Sequence, residues 1–236
     1  MLRSQLTCLV TGSSSGIGAA LCDALVLSGA RVAMVDVALP RGQAAKARPA
    51  HQHPKALPLT CDVTDESALR AAFGAAETHF GTRLNVVCNN AGTAAEGAAW
   101  QETLALNLGA VVCGSLLALE HMAGEGGTLL NTASMAGLVP MPGGAVYCAS
   151  KHGMVGLTRS LALQQSAVRA LCVCPSYTET PLLADVPSSA VAAQGGALPV
   201  DLVVQGMLRL IDDHDIESGA VMRVTNRNGI DFQAFR

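Results

Sequence analysis

The chain has 236 residues, half of them apolar, 14% charged and 3% aromatic, with a formal net charge of −3. That length suits one domain spanning 1–236 with a three-layer core of Ala, Val and Leu. The charge offers no basic stripe for a phosphate backbone, which argues against nucleic-acid partners. None of the eight cysteines forms a Cys-x-x-Cys pair, and most sit in apolar runs, so they read as reduced core residues. The amino terminus enters a strand at Leu6 without a signal-like segment, and no apolar run reads as long enough for a membrane span. The expectation is a cytoplasmic protein with no membrane insertion.

Strand-length apolar runs then alternate with helix-length patterns. Residues 6–10 read as a strand, followed by Thr-Gly-Ser-Ser-Ser-Gly-Ile-Gly at 11–18 and a helix over Gly16–Leu27. Residues 31–35 form the second strand, closed by Asp36. The stretch 40–58 is polar and reads as a short helix and surface loop; His51 and His53 lack companion carboxylates or cysteines and predict no metal site. Residues 56–61 form the third strand, Asp62 to Asp65 a turn and helix start, and 65–80 a helix. Next come a strand at 84–88, Asn89-Asn90-Ala91-Gly92, a helix at 101–121 and a strand at 128–132. After Ser134 follow a helix at 146–165, a strand at 170–174, a Pro-, Ser- and Gly-rich segment at 175–199, a helix over Val200–Asp212 and a strand at 220–224. The alternation predicts an α/β fold: a single-domain Rossmann-type doubly wound parallel sheet of about seven strands with helices on both faces. The segment 175–199 follows the sixth strand, where a cover over a ligand would sit.

Between the first strand and its helix, Gly12 permits a turn, while Gly16 and Gly18 let backbone and helix start approach a pyrophosphate. Ser14, Ser15 and Ile17 complete this loop. Asp36 lies about twenty residues further on, where a carboxylate can accept hydrogen bonds from ribose hydroxyls and repel a 2′-phosphate. Neither Ser13, Ser14 nor Val37 offers a compensating cation, so NAD is favoured over NADP. Asp62 and Val63 after the third strand, with Asn89, Ala91 and Gly92 after the fourth, extend the same rim.

A phenol with an unperturbed pKa of about 10 is a poor base at neutral pH. Tyr147 has Lys151 one helical turn away on the same face, and an ammonium there favours the phenolate. Lowering the phenol by about three units corresponds to roughly 4 kcal/mol. Ser134 ends the fifth strand, where its hydroxyl can steady a developing oxyanion. Neither His121 nor His152 has a nearby acid that would make it a catalytic base, and both read as structural.

These residues resemble the short-chain dehydrogenase/reductase family over essentially the whole chain: Thr11 to Gly18, Asp62, Asn89 to Gly92, Asn107, Ser134, and Tyr147 with Lys151. A closer likeness, to prostaglandin-oxidising members, rests on Gly124 to Gly127, Met135 to Leu138, Tyr147 to Gly153, and Asn228 to Gln233. The resemblance implies NAD-dependent oxidation of a secondary alcohol to a ketone, in a homodimer or homotetramer packed through the helices around Asn107 and Tyr147. It implies Ser134, Tyr147, Lys151 and Asn107 as catalytic residues, with Asn107 holding a water that links Lys151 to solvent. It also implies Tyr147, Lys151, Pro175, Tyr177, Thr178 and Thr180 as further cofactor contacts.

The substrate side is expected at Ser134, Met135, Met141, Gly144, Tyr177 and Leu182, an apolar lining that suits a hydroxy-fatty-acid or prostaglandin-like alcohol or ketone. Three features depart from the family pattern. Pro175-Ser176 replaces the usual Pro-Gly, Gly144 replaces a glutamine three residues before the tyrosine, and the cover is short and lacks aromatics other than Tyr177. Gly143 and Gly144 are expected to leave room. Two alternatives stay open at this point: a ketone reductase on a small apolar substrate, and a catalytically weak NAD-binding protein whose role is to bind a partner.

Overall fold

Strands buried on both faces require helices on both sides of their sheet, and the computed structural model shows that arrangement. It describes residues 2–39, 49–164, 167–184 and 186–234. The strands are β1 (Thr7–Thr11), β2 (Arg31–Asp36), β3 (Ala56–Thr60), β4 (Val86–Asn89), β5 (Gly127–Thr132), β6 (Val168–Pro175), β7 (Val221–Thr225) and β8 (Gly229–Phe232). They form one sheet of order β3-β2-β1-β4-β5-β6-β7-β8, parallel except for the β7–β8 pair. The helices are α1 (Gly16–Leu27), α2 (Glu66–Phe80), α3 (Trp100–Leu104), α4 (Ala110–His121), α5 (Ala145–Ala162), α6 (Ser188–Ala193) and α7 (Val200–Asp212).

Alternation along each strand divides the core into two layers. Cys8, Val10, Val32, Met34, Val86 and Cys88 pack toward α1 and α7, meeting Leu21, Leu25, Val203 and Met207. Leu9, Ala33, Val35, Val87 and Leu129 pack toward α2 and α4, meeting Leu69, Phe73 and Leu117. None of the eight cysteines forms a disulfide, and six of them are buried.

Several expectations need correction. Among the described residues the sheet has eight strands, one beyond the seven read from the sequence: Gly229–Phe232 turns back along β7, joined to it by the Arg223–Asp231 ion pair. This half-buried edge strand has too few apolar residues to read as a strand. Pro175 belongs to a strand, and α2 begins at Glu66 because the Asp65 side chain caps it, accepting from Ala68 N at 3.0 Å. The predicted helix 101–121 is part of a longer helical run, Gly97–His121, of 25 residues. That run is long and apolar enough to cross a bilayer, which the sequence reading denied; here α4 lies against α2 and β4. A π-helical turn, Ala105–Gly109, interrupts it and carries Asn107. Of the polar stretch 40–58, residues 40–48 and the His51 side chain lie outside the described residues, and His53 Nδ1 accepts from Lys55 N at 3.2 Å. His121 pairs with Glu77 at 2.9 Å, an acid invisible to a local reading.

Arg169 on β6 fastens the amino-end side of the fold. Its guanidinium donates to the carbonyls of Leu210, Ile211, Asp213 and Ile216 around the end of α7, and to Thr128 Oγ1. A cation at a helix C-terminus satisfies carbonyls that have no partner within the helix. Arg169→Ala should therefore lower unfolding stability by about 3 kcal/mol, several charged hydrogen bonds being lost together. A shift of the urea midpoint with an unchanged m-value would register that loss.

Candidate active site

The strand order reverses between β1 and β4, and the candidate site lies along the carboxyl ends there, where open parallel sheets form a crevice. One side is the glycine loop. Gly12 and Gly16 have φ of 67° and 52°, a region L side chains avoid. A Cβ on Gly12 would lie 2.8 Å from Ala91 Cα, one on Gly16 2.9 Å from Thr180 Cγ2, and one on Gly18 would overlap the Gly12 carbonyl. Ser15 at the N-cap of α1 makes no side-chain bond to the first turn, so the amides around Ile17 have no protein cap. The Ser13 hydroxyl is buried without a partner among the described residues. A bare first turn, a backbone that no Cβ could approach and an orphan hydroxyl fit the pyrophosphate of a dinucleotide.

Asp36 stands beside this cradle. Its Oδ2 accepts from Ser14 N at 2.9 Å and its Oδ1 from Ala38 N at 3.1 Å, while Ser14 Oγ donates to Ala38 O. Asp62 Oδ1 accepts from both the hydroxyl and the amide of Thr64, which hold its carboxyl below the usual range. The Val63 side chain is buried in the layer under α2. Asn89 also turns inward: its Nδ2 donates to Asn131 Oδ1 at 2.9 Å and Ser115 Oγ at 3.3 Å. At Val63 and Asn89 only the main chain is therefore left for the rim. Ala91 and Gly92 line the strand end. On the cover, Thr178 is tied to Leu198 by an isolated bridge and donates its hydroxyl to Ser176 O. Thr180 packs against Gly16, so the cover meets the glycine loop.

The second side is built by α5. Tyr147 and Lys151 occupy its buried face, 9% and 4% exposed. Ser134 leads into the turn Met135–Gly137, its hydroxyl accepting from Ala136 N at 3.1 Å. Burial pushes the Tyr147 phenol up, and the neighbouring Ser134 hydroxyl partly opposes it. Lys151 Nζ donates to Thr132 O at 2.8 Å and lies 5.6 Å from the Tyr147 ring centroid. Burial lowers its pKa to about 8, so the amine still carries its proton at neutral pH. Asn107 is fully buried, exchanging two 2.8 Å hydrogen bonds with the Thr93 main chain and reaching Ser150 Oγ at 3.3 Å. A Cβ on Gly92 would meet Asn107 Oδ1 at 3.1 Å and Lys151 Nζ at 3.7 Å, so this glycine keeps open a space the two share.

The substrate-side residues are less open than expected. A Cβ on Gly144 would overlap Met141 Cε: the methionine methyl fills the room read into that glycine, while Gly143 of the two is open. Met141 Sδ also accepts from the Tyr177 hydroxyl at 3.6 Å, joining the loop before α5 to the cover. Met135 packs in the small cluster around Met154 and Cys174, and Leu182 is 44% exposed on the cover.

Sequence reasoning missed three contributors. Asn90 Nδ2 donates to the carbonyls of Thr11 and Gly12, locking the glycine loop to β4. Ser150 Oγ donates to Tyr147 O at 2.7 Å. Glu96 accepts from the amides of Val146 and Tyr147. Asn90 and Ser150 were within quoted motifs; Glu96 acts across folds of the chain and leaves no local pattern.

The buried ammonium of Lys151 weakens the fold. A folded pKa of about 8 against 10.5 unfolded corresponds to about 3 kcal/mol, offset by about 1 kcal/mol from its hydrogen bond. The unfolded chain holds the extra proton between these values, so the penalty is full below about pH 8 and disappears as pH rises through 10.5. Lys151→Met should raise the ligand-free melting temperature at pH 7, with the advantage over the parent shrinking in alkaline melts.

Comparison with known proteins agrees with this geometry. The short chain dehydrogenase family matches residues 6–190. The human protein named 15-hydroxyprostaglandin dehydrogenase [NAD(+)] is 40% identical over 96% of this chain and 93% of its own length, and the Bos taurus protein of that name is 39% identical over the same shares. The cis-4-hydroxycyclohexanecarboxylate dehydrogenase of Sinomonas cyclohexanicum is 35% identical over 84% of this chain and 83% of its own. The likeness to prostaglandin-oxidising members read from the sequence is borne out, and the chain belongs to the short-chain dehydrogenase family.

Proposed function

We propose that this protein is an NAD-dependent oxidoreductase that oxidises a hydrophobic secondary alcohol, of hydroxy-fatty-acid or prostaglandin type, to a ketone. The observation that carries the reading is the meeting of Ser134, Tyr147 and Lys151 at the strand ends that also hold the glycine cradle. NAD, when bound, supplies the hydride acceptor. Gly12, Ser14, Ser15, Gly16, Ile17 and Gly18 would hold its pyrophosphate and Asp36 a ribose. Asp62, Val63, Ala91, Gly92 and the cover residues Pro175, Tyr177, Thr178 and Thr180 would border it.

Ser134 donates a hydrogen bond to the alcohol oxygen and Tyr147 removes its proton as the carbonyl forms. In its resting, buried state the phenol is protonated, so the base must form with help from the Lys151 ammonium. Asn107 keeps Thr93 and Ser150 in place, and a water in the space beside Gly92 would carry the proton from Lys151 outward. Eight cysteines with no disulfide among them suit a cytoplasmic setting. Leu116 on α4, 55% exposed, suits pairing of two copies through α4 and α5.

NADH formation with prostaglandin, hydroxy-fatty-acid, hydroxycyclohexanecarboxylate and polyol substrates tests this reading. The lipid alcohols should give the highest kcat/KM, with NAD preferred to NADP, and Tyr147→Phe should lose at least about three orders of magnitude in kcat. Tight NAD binding without turnover of any alcohol would instead favour a binding protein.

The Met141 methyl leads to a further expectation. Gly144→Gln alone must displace it, so Gly144→Gln with Met141→Ala should turn over long-chain hydroxy acids better than Gly144→Gln alone. Equal kcat/KM for the two variants would show that the methyl does not restrict the site.

A further inference from the structure

The helix that carries Tyr147 and Lys151 begins without a cap of its own. Gly144 occupies its N-cap with no side chain and a ψ of 47°, outside the extended range typical of capping residues. The exposed amides of the first turn are met from elsewhere in the chain. Glu96 Oε1 accepts from Tyr147 N at 2.8 Å and Oε2 from Val146 N at 3.3 Å. Val146 and Tyr147 are the second and third residues of α5, whose amides an N-cap side chain would ordinarily bind. A carboxylate there also faces the positive end of the helix dipole.

The loop carrying Glu96 is itself held. Asn107 grips both the amide and the carbonyl of Thr93, Thr93 Oγ1 accepts from Ala95 N at 3.3 Å, and Thr103 Oγ1 donates to Ala95 O. From the other side, Ser150 Oγ donates to Tyr147 O and accepts from Asn107 Nδ2. The main chain of Tyr147 is thus fixed at its N–H through Glu96 and at its C=O through Ser150. Both arms run back to Asn107.

We propose that Glu96 is a positioning residue: its carboxylate is the cap that α5 lacks, and by fixing the main chain of Tyr147 it aims the phenol at Ser134 and the reacting alcohol. The inference rests on the proposed role of Tyr147 as base. First turns without caps fray, and small errors in placing a reacting group cost far more rate than binding. The cofactor cradle, on α1 and the far side of the crevice, does not depend on this contact.

The test compares Glu96→Ala, Glu96→Gln and Tyr147→Phe with the parent enzyme, saturated with NAD, on the panel alcohol of highest turnover. Glu96→Ala should lower kcat about tenfold to a hundredfold, leave the KM for NAD unchanged, and enlarge the primary deuterium isotope effect on kcat. Glu96→Gln, which keeps one acceptor, should fall between. A Glu96→Ala enzyme with parental kcat, or one losing kcat only in step with NAD-binding sites at an unchanged isotope effect, overturns the inference. Where Glu96→Ala cannot be purified, parental kcat in Glu96→Gln overturns it. Activity surviving in Tyr147→Phe, or no turnover of any alcohol by the parent, sinks the functional reading and this inference with it; an inactive Tyr147→Phe beside a fully active Glu96→Ala sinks this inference alone.

Discussion

The site depends on the seam between β1 and β4. Adjacent parallel strands whose connections leave in opposite directions open a crevice, and that crevice is useful only if its two lips keep a fixed distance. Thr11 Oγ1 accepts from the amides of Asn90 and Ala91, while the Asn90 side chain returns bonds to the carbonyls of Thr11 and Gly12. The glycine loop is therefore fastened to β4, and its backbone comes close enough to Ala91 that a side chain on Gly12 would not fit.

Beneath this seam the structure accepts polar groups in its interior and satisfies them in series. Asn89 bonds Asn131 and Ser115, and Asn131 donates to Thr158, whose hydroxyl donates to Met154 O. Such a network is favourable only when its members are paired, and it holds β4, β5, α4 and α5 in one relative position. Lys151 is the costly member. Its ammonium is buried against Thr132 O, where stability alone would favour an apolar side chain and the proposed role of Tyr147 as base calls for a charge. In that proposal the charge serves the phenol through the same desolvation that weakens the fold.

Much of this was legible in the chain. Two-sided apolar strands such as 31–35 announce a covered parallel sheet, and Thr-Gly-Ser-Ser-Ser-Gly-Ile-Gly announces its loop because only glycine tolerates such a close approach. Tyr147 and Lys151 are four apart, so helix geometry alone brings them to one face. Gly144 shows the limit of that reading. Its missing side chain implied space, yet Met141, three residues earlier, folds back to fill it. The eighth strand escaped notice for a related reason, since Arg223 and Asp231 hold it where apolar pattern does not.

The sequence by itself determined the order of elements, the family and the residues proposed to react, because periodicity and short motifs are local properties of the chain. Only the tertiary structure decided how those groups are held. Glu96 reaches the first turn of α5 from a separate loop, Asn107 ties that loop to Ser150, and Asn90 rather than Asn89 secures the glycine loop. Each of these contacts joins residues far apart in the chain, and a hydrogen bond across such a distance exists only after the sheet and its covering helices have brought the partners within about 3 Å.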